Sequence, residues 1–420
     1  MKVIVLGAGV VGITSAWYLR QAGHAVTVVD RQYVPGLETS FANGGQISVS
    51  HAEPWANPHA VSQIVRWLGR EDAPLLFRLR ADAAQWRWGL RFLLECLPWR
   101  TRRNIAAILR LALYSRAALK ALRAETGIRY DHLERGILHF YTDPRQFECA
   151  QAAVRVMAEF GCERTLKTPQ EMLAIEPALE YALPRIVGGD HAAEDESGDA
   201  CAFTQRLAAR CVEQGVEMQT RTEIASISAT AGAIDGIAVA DAAGATRTLV
   251  ADAYVVALGS HSPRLLQPLG LRLNVYPVKG YSLTIAVGDS VAAPRVSLTD
   301  DEHKLVFSRL GQRLRVAGTA ELNGYDNTLN AVRCAAILRR VEDLFPHAGD
   351  FGSVARWCGL RPATPSNLPY IGATSYRNLF VNTGHGTLGW TLACGSGRLL
   401  ADLVTGRVPE VDAAPYGVTR

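Results

Sequence analysis

Strand-length apolar runs alternate with helix-period patterns at the start of the chain. Lys2–Leu6 is a compact apolar run, as long as one strand. Gly7-Ala8-Gly9-Val10-Val11-Gly12 follows, and a helix pattern then runs to Ala22, with Gly23 placed as its stop. Ala25–Val29 is a second short strand, rich in β-branched residues, that ends at Asp30. Together these form a βαβ unit. The next stretch, Leu37 to Ser48 or "LETSFANGGQIS", is polar, glycine-rich and without a period of its own. Residues 74–126 read as strongly helical, Gly136–Thr142 as a strand and Pro144–Phe160 as another helix. Thr168-Pro169-Gln170-Glu171 has the spacing of a capping box with proline at the first helical position. Thr204–Gln214 reads as a helix, and Val216 to Val250 as a meander of short strands with glycine-containing turns. Asp252–Leu258 is a buried strand running into Gly259. Leu273–Val287 and Lys304–Ala317 are further strands, and Thr328–Leu344 is an amphipathic helix. Strand Leu379–Thr383 passes through "GHGTLG" into a closing helix that stops at Gly406.

Nucleotide-type elements therefore sit at both ends of the chain and near Gly259. This predicts an α/β fold, α+β overall. A Rossmann-like nucleotide-binding domain would be built from discontinuous segments, 1–75, 185–265 and 350–420. An inserted domain of antiparallel sheet plus helices, 76–184 and 266–349, would hold the substrate.

Composition changes this picture little. With 48% hydrophobic and 20% charged residues the chain is ordinary for a water-exposed globular protein. A net charge of +4 gives no reason to expect nucleic acid as a partner. The eight cysteines form no CxxC pair and read as free thiols of a reducing, cytoplasmic compartment. No leader pattern, apolar run of spanning length or metal-ligand spacing is evident, so no metal is expected. One region stands out: Arg78 to Arg123 carries eleven Arg/Lys against the two acids Asp82 and Glu95, with Trp86, Trp88 and Trp99 among them. A basic, tryptophan-bearing surface suits peripheral contact with an anionic inner membrane leaflet, and a solvated helical domain explains it equally well.

Gly7, Gly9 and Gly12 form GxGxxG between a strand and a helix. The first glycine permits the tight turn, the second a close approach to pyrophosphate, and the third close packing of helix on strand. Asp30 is placed to accept from a ribose diol and would repel a 2′-phosphate. This much fits NAD or FAD. Two features favour the flavin. Ser40, Asn43, Gly44, Gly45 and Gln46 offer a small, polar wall for an extended cofactor. The "GHGTLG" turn then sets a second helix N-terminus where negative charge on a reduced ring would be stabilised.

The stretches "VIVLGAGVVGITSAWYLRQAGHAVTVVDR", "ETSFANGGQIS", "ADAYVVALGSHS", "YPVKGYSLT", "WCGLRPATP" and "LFVNTGHGTLGWTLACGSG" resemble the FAD-dependent D-amino-acid oxidase superfamily over nearly the whole chain. Within it, the likeness is nearest to the bacterial D-amino-acid dehydrogenase small subunits. The resemblance implies non-covalent FAD held by Gly7, Gly9, Val10, Val11, Gly12, Asp30, Arg31, Ser40, Asn43, Gly44, Gly45, Gln46, Gly259, Gly384, His385, Gly386, Thr387 and Leu388. Two departures concern this site. The family more often has alanine at Gly44, and usually Asp-Gly-Thr-Pro at Ser366-Asn367-Leu368-Pro369.

The implied reaction is oxidative deamination of a D-amino acid to a 2-oxo acid and ammonia, with electrons passed to a quinone or other respiratory acceptor. Such chemistry needs positioning more than acid–base groups, so no Ser-His-Asp set is expected. Arg361, in the GxRP segment, is the expected grip on the substrate carboxylate. Tyr281 and Tyr276 flank Lys279-Gly280 and would supply hydroxyls or cover the ring, with Arg309 a weaker option. His385 reads as a turn residue, His51 as a loop residue and Cys394 as core. Alternatives on the same fold are an oxygen-using oxidase and a dehydrogenase of a cyclic imino acid such as D-proline or hydroxy-D-proline. A nicotinamide dehydrogenase and a non-catalytic flavin subunit are the readings from other classes.

Overall fold

The computed structural model describes residues 1–67, 69–287 and 291–418. Positions 68, 288–290 and 419–420, which fall within the expected domain ranges, lie outside the described residues.

The first strand, Lys2–Leu6, sits inside a six-stranded sheet. In spatial order the sheet runs Tyr370–Ala373, Leu379–Thr383, Ala253–Val256, Lys2–Leu6, Ala25–Val29, Glu217–Gln219. Only the Tyr370–Ala373 edge is antiparallel to its neighbour. A parallel sheet must be covered on both faces, and the first strand supplies apolar residues to each. Val3 and Val5 pack with the helical core, whereas Ile4 and Leu6 pack with Ile227, Ile237 and Val239 of the three-stranded meander.

Helix Val10–Gln21 and the closing helix Gly389–Thr405 cross in close contact. A Cβ on Gly397 would lie 2.8 Å from the Thr14 carbonyl carbon and oxygen. The Thr14 hydroxyl donates to the Ala393 carbonyl oxygen at 2.9 Å, and Asn382 Nδ2 to Ser15 Oγ at 2.9 Å. The two ends of the chain are thereby locked into one unit.

The second sheet has nine strands. Its main path runs Ala355–Ala363, Tyr276–Ala286, Arg313–Leu322, Leu305–Leu310, Ser297–Asp300, Ile137–Tyr141, Gly188–Ala192, Thr165–Lys167. The ninth, Leu75–Phe77, pairs in parallel with the end of Arg313–Leu322. Helix Ala331–Leu344 covers one face through Cys334, Ile337 and Val341. Strands Gly188–Ala192 and Ala355–Ala363 thus join the second sheet, although the expected boundaries at 185 and 350 put them in the first domain. We therefore propose boundaries just past these strands.

Two expectations about single elements change. Residues 74–126 form the strand Leu75–Phe77 and the two helices Ala83–Glu95 and Pro98–Thr126, not one helical block. Pro98 cannot continue a helix but is well placed to begin one. The helix expected from Thr204 begins at Ala200, because Asp199 caps it by accepting from the N–H groups of Cys201 and Ala202.

Gly397→Ala is expected to destabilise the protein by about 1–3 kcal/mol through overpacking against Thr14. A lowered thermal unfolding midpoint, with Gly89→Ala in an open helical position as the comparison, checks it.

Candidate active site

Both sheets contribute to one cavity of about 1620 Å³. Its nucleotide end is made by the first βαβ unit. Gly7 has φ +106°, and a Cβ there would lie 2.7 Å from the Ala257 carbonyl oxygen. Gly12 does not line the cavity. A Cβ on it would sit 1.9 Å from the Gly7 carbonyl oxygen, so its part is to let helix and strand close up. Gly9, Gly259 and Gly386 differ in kind: no protein atom comes closer than 3.6 Å to a Cβ built on them. Their bare backbones keep the cavity wall low, which fits a flat ligand lying against it. Val10 and Val11 continue this wall. Asp30 accepts from the N–H groups of Ala8 at 2.6 Å and Gln32 at 2.7 Å. Burial raises its pKa and these two bonds oppose that rise. Arg31 pairs with Glu38 at 2.7 Å beside His261.

The polar stretch 37–48 forms the seam between the two sheets. Thr39 Oγ1 donates to the Leu360 carbonyl oxygen at 2.8 Å. Ser40 Oγ accepts from the Val10 N–H at 3.1 Å, in the first turn of the first helix. Asn43 Oδ1 accepts from the Gly45 N–H at 3.0 Å. Gln46 Nε2 donates to Ser297 Oγ at 3.0 Å, Thr299 Oγ1 at 3.1 Å and the Leu298 carbonyl oxygen at 3.2 Å. Ser40, Asn43 and Gln46 are thus engaged in fixing the wall, and much of what the wall presents is backbone. Gly44 packs so closely that a Cβ would stand 2.5 Å from Val306 Cγ2.

The closing turn completes this part of the site. Gly384, at φ +85°, does not line the cavity, and a Cβ on it would meet Thr364 Cγ2 at 2.8 Å. His385 Nε2 lies 2.9 Å from Ser396 Oγ, and burial pushes the imidazole down to about 3. It is a neutral peg between turn and helix. Gly386 donates its N–H to the Pro362 carbonyl oxygen at 2.9 Å, and Gly386, Thr387 and Leu388 line the cavity at the helix start. Cys394 is buried in the helical core and is not part of the lining. Asn367 has φ +61° where the resembled family has glycine. Asparagine tolerates this conformation better than most residues, and its Oδ1 accepts from the Trp55 N–H at 3.2 Å.

Arg361 faces the cavity from the edge strand of the second sheet. Gly280 makes room for it: a Cβ there would lie 2.3 Å from Arg361 Cζ. Its Nη1 donates to the Thr319 carbonyl oxygen at 2.7 Å and its Nη2 to that of Gly318 at 3.5 Å. Both carbonyls lie where the sheet register shifts, and Thr319 there has φ +53°, a strained value for a β-branched residue. Among the described residues no carboxylate pairs with Arg361. Burial, and then the charge of Arg333, push its guanidinium down to about 10. Tyr281 lines the cavity while its hydroxyl donates to Glu321, which also pairs with Lys279 at 3.3 Å. Tyr276 is not in the lining. It packs against Trp88, with ring centroids 6.3 Å apart. Arg309 is also outside the lining, with Nε bound to the Gly311 carbonyl oxygen.

One group of residues escaped the sequence. Ser50 Oγ lies 3.2 Å from His139 Nε2, and His139 Nδ1 lies 2.9 Å from Asp301 Oδ2. A Ser-His-Asp chain therefore exists where none was expected. Ser50 is fully buried and its N–H is held by Asp195, so it is placed as a structural bond and not as a nucleophile. His51 and Glu53 line the same lobe, and burial pushes His51 down to about 4. His139 comes 86 or more positions after these loop residues, so no local pattern could reveal the cluster. Asp300, Glu302 and His303 also converge, but Arg340 holds Asp300 and the Thr142 N–H holds Glu302.

Comparison with known proteins agrees with this geometry. Residues 2–403 match the family described as DAO, FAD dependent oxidoreductase. The chain is 61% identical over 410 residues to a D-amino acid dehydrogenase of Dechloromonas aromatica, covering 98% of each chain. It is 55% identical over 421 residues to one of Paramagnetospirillum magneticum, covering 100% of this chain and 99% of that one. Among solved structures, glycine oxidase from Geobacillus kaustophilus superposes with a TM-score of 0.76 at 24% identity, covering 100% and 98% of the two chains. L-proline dehydrogenase from P. horikoshii gives 0.77 at 17%, covering 100% and 97%. These two show a shared fold.

Two outcomes are expected. Gly44→Ala lowers bound flavin per protein, because Val306 is stiff about its branched Cβ and cannot swing aside; adding Val306→Ala restores it, as read by absorbance. Binding of hexanoate, a carboxylate without an amine, is flat in calorimetry from about pH 6 to 9 and weakens above about pH 10, as the Arg361 cation is lost.

Proposed function

We propose, on the premise that the chain belongs to the DAO family of FAD-dependent oxidoreductases, that it is a D-amino-acid dehydrogenase. It converts D-amino acids to 2-oxo acids and ammonia. The observation that carries the reading is Arg361, a partly buried cation facing the cavity with two carbonyl bonds and no carboxylate partner among the described residues. A substrate carboxylate supplies the missing charge in the bidentate geometry that guanidinium favours.

Bound FAD would supply the acceptor for the hydride from the substrate Cα. The wall residues Gly7, Gly9, Val10, Val11, Gly259, Gly386, Thr387 and Leu388 are those we assign to holding it, with Asp30 at the ribose. The chain's own contribution to the reaction is placement. Arg361 fixes the carboxylate and Tyr281 closes the wall beside it. The amine must enter the step neutral, and the C–H bond breaks as the C=N bond forms. Water then adds to the imine and ammonia leaves, which balances the reaction as amino acid plus water plus acceptor giving 2-oxo acid, ammonia and reduced acceptor.

For the electrons' exit we propose an apolar acceptor, such as a quinone. The cavity lining includes Ile64 of helix Ala60–Trp67, Phe77, and Trp88 and Phe92 of helix Ala83–Glu95. It also includes Trp86, Leu90 and Leu93, which are all about half exposed or more. Leu94, Leu97 and Trp99 extend this apolar strip. No described helix is long and apolar enough to cross a membrane. Several cations of the 78–123 segment are already paired: Arg100 with Glu95, Arg102 with Glu159 and Arg123 with Glu196. Arg87 and Arg91 flank the strip on the same helix, and peripheral contact with an anionic leaflet would use them.

Turnover of D-alanine with a redox dye should yield pyruvate and ammonia in equal amounts, with L-alanine inert. Arg361→Ala should cost about a hundredfold or more in kcat/KM. Unchanged kcat/KM would remove the carboxylate assignment. Leu90→Glu with Leu93→Glu should slow quinone reduction more than dye reduction and weaken sedimentation with anionic vesicles.

A further inference from the structure

Beyond the carboxylate grip, the polar lobe of the cavity holds a carboxylate without a partner. The buried ionic groups around it are matched. Arg164 binds Asp190 through Nε at 2.5 Å and Nη2 at 2.8 Å. Asp301 takes His139 at 2.9 Å, the Tyr141 hydroxyl at 3.0 Å and the Lys304 ammonium at 3.7 Å. Asp195 accepts from the N–H groups of Val49 and Ser50, with Arg116 at 4.0 Å. Glu53 lines the same space and has no hydrogen bond or ion pair among the described residues. Lys304, Asp301, Arg164 and His59 are the charged or titratable groups that act on it, and burial is the main cause that raises its carboxyl pKa.

We propose that Glu53 is a specificity-determining residue, and that the lobe beside it admits D-amino acids whose side chain ends in a cation, such as D-lysine. The inference rests on the D-amino-acid reading above and names the substrate class for that site. Its support is geometric. Arg361 Nη1 bonds the Thr319 carbonyl oxygen at 2.7 Å, and the Thr319 N–H bonds the Lys304 carbonyl oxygen at 3.2 Å. Glu53 follows His51, whose ring stacks 6.3 Å from that of His139, and His139 holds Asp301 beside the Lys304 ammonium. Arg361 and Glu53 thus face one cavity from the two sides of this cluster. An extended D-lysine spans about 7 Å between carboxylate carbon and ammonium, and a hydrogen bond of about 3 Å at each end brings the total to about 13 Å. D-Alanine is too short to reach. His51, held neutral by burial, adds no competing charge. The unmatched carboxylate and the unmatched guanidinium thus offer a partner to each end of such a zwitterion within one cavity.

The test uses the holoenzyme and a probe that cannot be oxidised. 6-Aminohexanoate carries the carboxylate and the distal ammonium of lysine without the α-amine, and hexanoate lacks both nitrogens. Calorimetry is expected to show 6-aminohexanoate binding at least about tenfold tighter than hexanoate, and Glu53→Gln is expected to erase that difference while hexanoate binding stays. In turnover, the preference for D-lysine over the uncharged D-norleucine should collapse in Glu53→Gln. Equal binding of the two probes by the wild type, or a preference that survives Glu53→Gln, overturns the proposal. Failure of the wild type to oxidise D-alanine would instead overturn the functional reading, and the probe affinities would still decide the part of Glu53.

Discussion

A guanidinium withdrawn in part from solvent and left without a counter-charge is the constraint on which this site depends. Removing a cation from water costs several kcal/mol even after relaxation. Here the two carbonyls of Gly318 and Thr319 recover part of it. They are available because the sheet slips register at that point and Thr319 takes a strained left-handed backbone. Gly280 leaves the room that a side chain would fill. Strand pairing, strain and an absent Cβ all serve to keep Arg361 in place with its charge uncompensated, and only an incoming anion completes the arrangement.

The cofactor side rests on the same principle of leaving space. Gly12 and Gly397 bring helices against their neighbours so tightly that no side chain fits, which fixes the two helix N-termini relative to each other. Gly9, Gly259 and Gly386 are open, so the surface between those termini is flat. His385, neutral and bonded to Ser396, pegs the turn from behind. The rigid part of the structure is therefore the helix pair at the chain ends, and the inserted sheet carries the substrate grip onto it through the 37–48 seam.

Much of this was legible in the sequence, where the signals are local. The strands Lys2–Leu6, Ala25–Val29 and Leu379–Thr383 follow directly from apolar runs bounded by glycine or acid. GxGxxG and the GxRP arginine stand out by spacing. What could not be read depends on long-range contacts. Ser40, Asn43 and Gln46 line the cavity, and the bonds of Ser40 to Val10 and of Gln46 to residues 297–299 that hold the wall were not legible. Tyr276 and Tyr281 lie an odd number of residues apart on one strand, so they face opposite sides of the sheet and only Tyr281 meets the cavity. The Ser50, His139 and Asp301 chain comes from three distant segments, two joined by strand pairing and the third held by Asp195.

The most direct measurement is an anaerobic titration of the flavin's visible bands with D- and L-alanine, in the wild type and in Arg361→Lys. The account predicts bleaching by the D-isomer alone, and in Arg361→Lys the same final bleaching but only at a D-alanine concentration raised about tenfold or more, since a single ammonium replaces a planar fork. Bleaching by both isomers, or an unshifted titration in Arg361→Lys, would contradict it.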